Sequence, residues 1–393
     1  MASTHAVRIE EDLLGVVEVP TSAYYGAQTQ RARNNFPLNG EKMLGDYPML
    51  VHALLWVKKA SAQANTKIGY LKNEYAHAIC VAVDKVFSEP YSNHFPIHAL
   101  HGGGGTSANM NINEVLANFA EEFLGGQRGE YQLIHPNDHV NLHQSTNDVY
   151  PTACHIAVIQ QWSQLHPILS DFAEAFHRIG LRLHGQPRLA RTCLQDAVET
   201  TYADFFSGYV AFIHRAQQRI DVDVNQLYNI NLGGTIVGRI DDVPSDYYEQ
   251  IIVELRSVMR NNRYVQAENL FDAAQNPDTM IAVSAALNLF ARGLIKIVCD
   301  LRLLSSGPEA GIGELVVSPM QPGSSIMPGK INPVIPEFVF QLCMQVCGKH
   351  AACEAALDHG ELDLNVWESL IVINILDAMN LLATAVSTLT EKC

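Results

Sequence analysis

The stretch Gly323-Ser324-Ser325-Ile326-Met327-Pro328-Gly329-Lys330-Ile331-Asn332-Pro333, with Glu337 shortly after it, lies between two apolar helical runs and is far more polar than a connection requires. Two hydroxyls, an ammonium and an amide sit among glycines and prolines, and loops of that make-up tend to carry chemistry on a rigid scaffold. Glycine opens backbone conformations closed to other residues, so the loop can lie tightly against a ligand. Asn332 followed by Pro333 reads as a helix cap and first helical position, because proline lacks the N–H that would be orphaned there. A helix starting at that point turns unpaired N–H groups and the positive end of its dipole toward whatever the loop holds. With Lys330 beside it, the loop predicts an anionic ligand. The plain alternative is a Gly/Ser/Pro surface turn, against which the embedded lysine and asparagine argue.

Working outward, apolar residues at helical spacing predict long amphipathic helices over about 150–185, 197–228, 246–260, 276–306, 334–358 and 364–390. Helices of this length, joined by loops that hold the polar motifs, predict a mainly α fold with an elongated central bundle. Toward the start, Leu50, Ala53, Leu54, Val57 and Ala60 give a helical pattern within Tyr47 to Val86 that Gly69 interrupts. Val16-Val17-Glu18-Val19-Pro20 reads as a brief strand that its proline ends. The expected division is a smaller, mostly helical N-terminal domain with short strands over 1–143 and the long-helix bundle over 144–393. A chain of 393 residues is long enough for two or three domains and a large core.

Composition narrows the partners. Lys and Arg number 26 against 41 Asp and Glu, a net charge of -15, which repels nucleic-acid phosphates and anionic membrane surfaces. Hydrophobic content of 48% with 17% charged leans toward a protein with a buried subunit interface. The opening Met1 to Glu10 has no apolar run of a secretory signal. No apolar run is expected to reach bilayer-spanning length, since Arg292, Lys296, Asp300 and Arg302 interrupt Ile281 to Leu304. The eight cysteines show no CxxC pair and lie mostly in apolar helical runs, so reduced thiols and a cytoplasmic location are expected. Cys343, Cys347 and His350 could share a helix face, yet structural zinc sites want four ligands at loop-like spacings, and no metal is expected.

Four further stretches carry polar chemistry. In His101-Gly102-Gly103-Gly104-Gly105-Thr106, glycines before a polar helix start form a backbone nest for an anion, to which Thr106 adds a hydroxyl. A phosphate P-loop is the rival, and it fails because no Gly-Lys-[Ser/Thr] follows. His135 to Asp148 includes Ser145-Thr146-Asn147 and could be a polar loop capping the next helix, with Asp148 serving only that. Ala190-Arg191-Thr192-Cys193-Leu194-Gln195-Asp196-Ala197 holds a thiol that lacks an evident activating base and so reads as packed. Asn231 to Ile240 ends near Arg239, either a surface arginine or a fork-shaped donor for a carboxylate or nitro group.

Together, the 323–333 run, Ile9 to Thr29, the GTSANMNINE stretch at 105–114, HPNDHVN with STND, and the 190–197 run resemble the motifs of the aspartase/fumarase superfamily, and the wording is most similar to its aspartase branch. The resemblance extends from Ile9 to Cys393. It implies β-elimination from a substituted succinate, foremost aspartate to fumarate and ammonia, with Ser324 as the base. Thr106, Ser145, Thr146, Asn147, Thr192, Ser325, Lys330 and Asn332 would bind the dicarboxylate. It implies a homotetramer built on a twenty-helix core, with each site drawn from three subunits, and no cofactor. It also implies that the family's small C-terminal domain is absent, since Thr390 to Cys393 resembles the end of the central bundle.

The departures bear on specificity. His101 stands where aspartases carry Gln, and Leu142-His143 where the family carries Lys-Ser. Cys193 replaces a His that contacts a substrate carboxylate and pairs with the signature glutamate, here Glu337, and a neutral thiol cannot act as an imidazole does. Arg239 lies in a region whose usual ending is Gly-Thr-Gly. Cys193, Arg239 and Glu337 thus mark positions of altered specificity. Two alternatives stay open: a sister lyase that expels nitrite from nitrosuccinate or water from malate, and a catalytically weak structural or regulatory homologue.

Overall fold

A computed structural model describes residues 6–393 and shows a mainly α chain whose strands are short. Of the opening Met1 to Glu10, residues 1–5 lie outside the described residues. Strands β1 (Val7–Asp12) and β2 (Gly15–Pro20) pair antiparallel from Asp12 opposite Gly15 to Val7 opposite Pro20. Helices α1 (Ala27–Asn35), α2 (Pro48–Lys67), α3 (Asn73–Ser88) and α4 (Thr106–Phe123) follow. The long α5 (Thr146–Arg182) leads to the hairpin β3 (Pro187–Thr192) and β4 (Gln195–Thr201), then α6 (Tyr202–Gln226). Strand β5 (Asn229–Ile230), α7 (Ser245–Met259), strand β6 (Val265–Gln266), α8 (Leu270–Gln275), α9 (Asp278–Leu304), α10 (Val334–Leu357) and α11 (Glu368–Lys392) complete the chain.

These residues gather into two compact units. The first holds the chain up to Ile159, Gln226–Thr279 and Ala355–Ile373. In it α2 packs against α3 and α7, and α4 against α3 and α1. Helix α2 starts with proline in its first turn and stops where Ile68 and Gly69 donate back to Ala64 and Thr66, Gly69 taking φ 83. A glycine in this left-handed conformation is a common helix stop. Between those ends Leu50, Leu54, Leu55 and Val57 are fully or almost fully buried, each such side chain contributing about 1.5–3 kcal/mol. The start of α1 is closed by two carboxylates. Glu114 accepts N–H bonds from Gly26, Gln28 and Thr29 at 2.8–3.1 Å, and Glu10 accepts from Ala27 at 2.8 Å. Anions at a helix N-terminus satisfy orphan donors and oppose the dipole, although burial still pushes Glu114 up to about 7.

The second unit holds Gln160–Asn225, Met280–Glu354 and Asn374–Cys393. Side-chain bonds stitch its helices together: Trp162 of α5 donates to Asp221 of α6, Tyr209 of α6 to Asp300 of α9, and Lys349 of α10 to Asp377 of α11. Gln161 of α5 donates to Asn380 of α11, and Ser284 of α9 pairs with His350 of α10. Phe212 and Phe290 stack at 6.0 Å, and the Phe212 ring closes on Gly293, where a Cβ would fall 1.9 Å from it.

Two expectations need correction. Helices Asp278–Leu304 and Glu368–Lys392 are long and apolar enough to span a bilayer, with mean hydropathy of 1.7 and 1.8 over their most apolar windows. Their charges fall outside or thinly within those windows, and 56% and 61% of the window residues are buried inside the protein, as core helices are. Residues 197–201, expected as helix, form β4 instead, because pairing with β3 overrides their local pattern. No disulfide joins the cysteines among the described residues.

Candidate active site

In the first unit, Gly103, Gly104 and Gly105 take φ of 88, 59 and 88, the left-handed region closed to most side chains, and deliver the chain to Thr106 at the start of α4. A Cβ on Gly105 would lie 2.5 Å from the Tyr150 ring, so this approach requires glycine. Thr106 itself is exposed. Beyond α4, a π-type turn over Pro136–Val140 is capped by His135, whose Nδ1 accepts from Asn137 and Asp138.

The next residues rest on a buried polar hub. Asn141 Oδ1 accepts from Lys58 Nζ at 2.9 Å and from Asn109 and Asn113 Nδ2 at 3.1 Å each. Lys58 donates again to Gln144 Oε1 at 2.9 Å, and Asn109 donates to Thr146 Oγ1 at 3.1 Å. Asp148 does more than cap a helix. One of its oxygens accepts from Ser145 N at 3.0 Å and the other from Gly233 N at 2.9 Å. Asn231 donates to the Asn147 carbonyl and Asn147 to that of Ile236, at 3.1 and 2.8 Å. The fold therefore brings 145–148 and 231–236 together. Burial raises Asp148 to about 6, against the pull of its N–H donors and of Lys58. Arg239 is half exposed and faces Asp242 at 3.5 Å.

In the second unit the 190–197 run is a hairpin turn, not an irregular loop. Cys193 and Leu194 both take positive φ, 52 and 62, between paired Thr192 and Gln195. Tight two-residue hairpins require that conformation. Cys193 is exposed at the tip, which corrects its reading as a packed thiol. The hairpin is anchored by Arg191, one pair below the turn, and by Arg188 near its open end, both paired with Glu314, the latter at 3.8 Å, while Arg188 lies 4.4 Å over the Phe205 ring. Glu314 belongs to the segment between α9 and α10 that also carries the 323–333 loop.

That loop is closed by its own groups. Gly323 N donates to the Lys330 carbonyl at 2.8 Å, Asn332 Nδ2 to the Gly323 carbonyl at 3.0 Å, and Lys330 Nζ to Asn332 Oδ1 at 2.9 Å. A Cβ on Gly323 would stand 2.6 Å from the Lys330 oxygen. Asn332 is thus not the helix cap. Its side chain is committed across the loop, α10 begins at Val334, and the Pro333 carbonyl accepts from Glu337 N. Ser324 Oγ accepts from Ile326 N at 3.3 Å and Met327 N at 3.0 Å. Ser324, Met327 and Lys330 line an open cavity of about 390 Å³, and Ser325 is exposed. Glu337 faces Arg302 at 3.4 Å rather than an imidazole.

The sites called from sequence therefore fall into two groups: Thr106, Ser145, Thr146, Asn147 and Arg239 in the first unit, and Thr192, Cys193, Ser324, Ser325, Lys330, Asn332 and Glu337 in the second. Sequence reading missed Lys58, hidden in a helical period, and Glu314, isolated in a loop; only an unexplained charge among apolar neighbours marked the former. Among the described residues no group of three or more His, Cys, Asp or Glu could hold a metal, and His350 bonds Ser284 and faces Glu354 instead.

A family model described as "Lyase" matches residues 15–348. The aspartate ammonia-lyase of Helicobacter pylori strain J99 is 41% identical over 98% of this chain and 82% of its own length. That of Pseudomonas aeruginosa is 42% identical over 100% and 83%. Among solved structures, a fumarate lyase:delta crystallin from Brucella melitensis bound to cobalt superposes with a TM-score of 0.96 at 43% identity, covering 99% of this chain and 84% of that one. The class II fumarase of Schistosoma mansoni gives 0.94 at 32% identity, over 99% and 84%. With a matched family spanning most of its length and relatives well above the identity at which fold and family diverge, the chain belongs to the aspartase/fumarase superfamily of lyases.

Proposed function

We propose that this protein is a carbon–nitrogen lyase that removes ammonia from L-aspartate to give fumarate, with Ser324 as the base. The observation that carries the assignment of the base is the pair of N–H groups aimed at Ser324 Oγ. A serine alkoxide is a poor base to maintain in water. Donors that steady negative charge on its oxygen, and a loop able to exclude solvent, make it a workable one. Ser324 takes the Cβ proton and the electron pair of that C–H bond passes into the adjacent carboxylate; the pair then returns to form the Cα–Cβ double bond as the C–N bond of the protonated amine breaks and its pair leaves on ammonia. The intermediate is a doubly negative aci-carboxylate, and each donor aimed at it is worth roughly 3–4 kcal/mol. Lys330, Asn332, Thr192 and the N–H groups of the glycine nest before Thr106 supply such donors, and Thr106, Ser145, Thr146, Asn147 and Ser325 hold the carboxylates and amine.

The chain would act as a homotetramer whose sites combine residues of different subunits, in the cytoplasm, where its unbridged cysteines stay reduced. A second reading, a sister lyase with another leaving group, is favoured by Cys193 and by Arg239, whose guanidinium suits a nitro or carboxylate group. Following the ultraviolet absorbance of fumarate with aspartate, malate and nitrosuccinate separates the two. Aspartate is expected to give the fastest rise, and a silent aspartate trace beside an active alternative would reassign the leaving group.

A further inference from the structure

Lys58 is fully buried on α2, and no step of the elimination uses it. An ammonium taken out of water is expensive unless its donors are met, and an apolar side chain of similar size would pack there at lower cost. Its two bonds go to Asn141 and Gln144, residues that bracket Leu142 and His143. Asn141 Nδ2 donates to the Gln144 carbonyl at 3.0 Å and Gln144 Nε2 to that of Val140 at 2.9 Å, so the ammonium sits where this turn closes on itself. The turn leads directly into Ser145-Thr146-Asn147, and Asn109 extends the same hub to the Thr146 hydroxyl. The charged and titratable groups around it are few. Asp148 is the anion whose charge reaches it. His143 bonds Asn65 at 2.6 Å, and Tyr247 bonds Ser61 at 2.8 Å, both partners lying on α2.

We propose that Lys58 is a positioning residue for the dicarboxylate site: its ammonium fixes Asn141 and Gln144, and through them Ser145 and Thr146, and it supplies positive potential beneath the place where the substrate carboxylates bind. This rests on 145–147 being substrate contacts. In a chain of net charge -15, a cation held on the site's buried side gives a dianion local attraction that surface charges cannot. Burial brings Lys58 down to about 7. A bound dianion favours the charged form, so binding above that pH takes up a proton.

The test is calorimetric titration of the intact protein with fumarate from pH 6.5 to 9, in two buffers of different ionisation enthalpy. For the unaltered protein, affinity should weaken by up to about tenfold per pH unit above 7, with proton uptake at pH 8. Lys58→Met should bind at least about tenfold more weakly at pH 6.5 and lose both the slope and the uptake. A Lys58→Met protein that binds with unchanged affinity and slope overturns the proposal. Should that variant not fold, flat affinity and no proton uptake in the unaltered protein overturn it equally. Hydrogen exchange of amides 141–148 keeps the inference apart from the substrate assignment: protection must fall in Lys58→Met whether or not aspartate turns over, and unchanged protection refutes the positioning role.

Discussion

Ser324 and Cys193 place opposite demands on single residues. Two N–H groups converge on Ser324 Oγ, so removing that oxygen removes the proposed base while the loop's other closures, Gly323 to Lys330 and Lys330 to Asn332, remain. Ser324→Ala is expected to lower kcat for aspartate by about 10³-fold, the scale of a lost general base, with fumarate binding by calorimetry nearly unchanged; loss of binding instead would make Ser324 a ligand. Cys193 projects from the hairpin tip, exposed, where an imidazole fits without repacking. Cys193→His should therefore leave the melting temperature unchanged and raise kcat/KM for aspartate, and a variant no better than the parent would show that the thiol position takes no part in aspartate specificity. The 323–333 run was legible in the sequence as more than a plain connection because of its polarity, part of which closes the loop itself, Lys330 to Asn332 and Asn332 to Gly323. Lys58 was not, because a lysine within an apolar helical period looks the same whether it reaches water or a buried amide.

Elements explain what their residues cannot. A lone two-stranded hairpin is marginal in water, and β3–β4 presents Leu189, Leu194 and Val198 to solvent. Its anchor is Glu314, shared by Arg188 and Arg191, which ties Thr192 to the segment that runs on to Ser324. Glu314→Gln and Arg191→Met should each reduce kcat/KM about tenfold or more, the double variant being little worse, since contacting residues couple; additive losses would deny the link. The helices were legible to within a few residues because burial imposes its period on every turn. The hairpin was not, since strand pairing is non-local and the left-handed pair at Cys193 and Leu194 carries none of the glycine or asparagine that signals such turns. At the start of α11, buried Glu368 is raised to about 8 by burial. A carboxyl whose folded value exceeds its unfolded one of 4.5 favours the native state at low pH and loses that contribution as pH climbs from about 4.5 to 8. Glu368→Gln cannot ionise, so its melting temperature relative to the parent should rise across that window and level off above it; a pH-independent difference would mean that Glu368 stays charged in the fold.

For the whole molecule, the proposed site is an assembly problem. The groups the proposed function needs fall in two units of one chain, Thr146 in the first and Ser324 in the second, and the proposed tetramer would complete each site with the first unit of one subunit and the second unit of another. Symmetric assembly makes that arrangement testable by mixing. Ser324→Ala and Thr146→Val chains, each inactive alone, would be co-expressed and purified as mixed tetramers, with light scattering to verify four chains of 43.4 kDa. If a site takes its serine from one chain and its threonine from another, random mixing rebuilds roughly a quarter of the sites, and fumarate formation should recover to about that fraction of the unaltered enzyme. If both groups belong to the same chain, every site in every mixture keeps one lesion and the rate stays at the level of the single variants. Recovery would thus place the substrate between subunits and explain why a chain this apolar, with long helices such as α9 and α11, retains large side chains such as Leu289 and Leu303 facing outward.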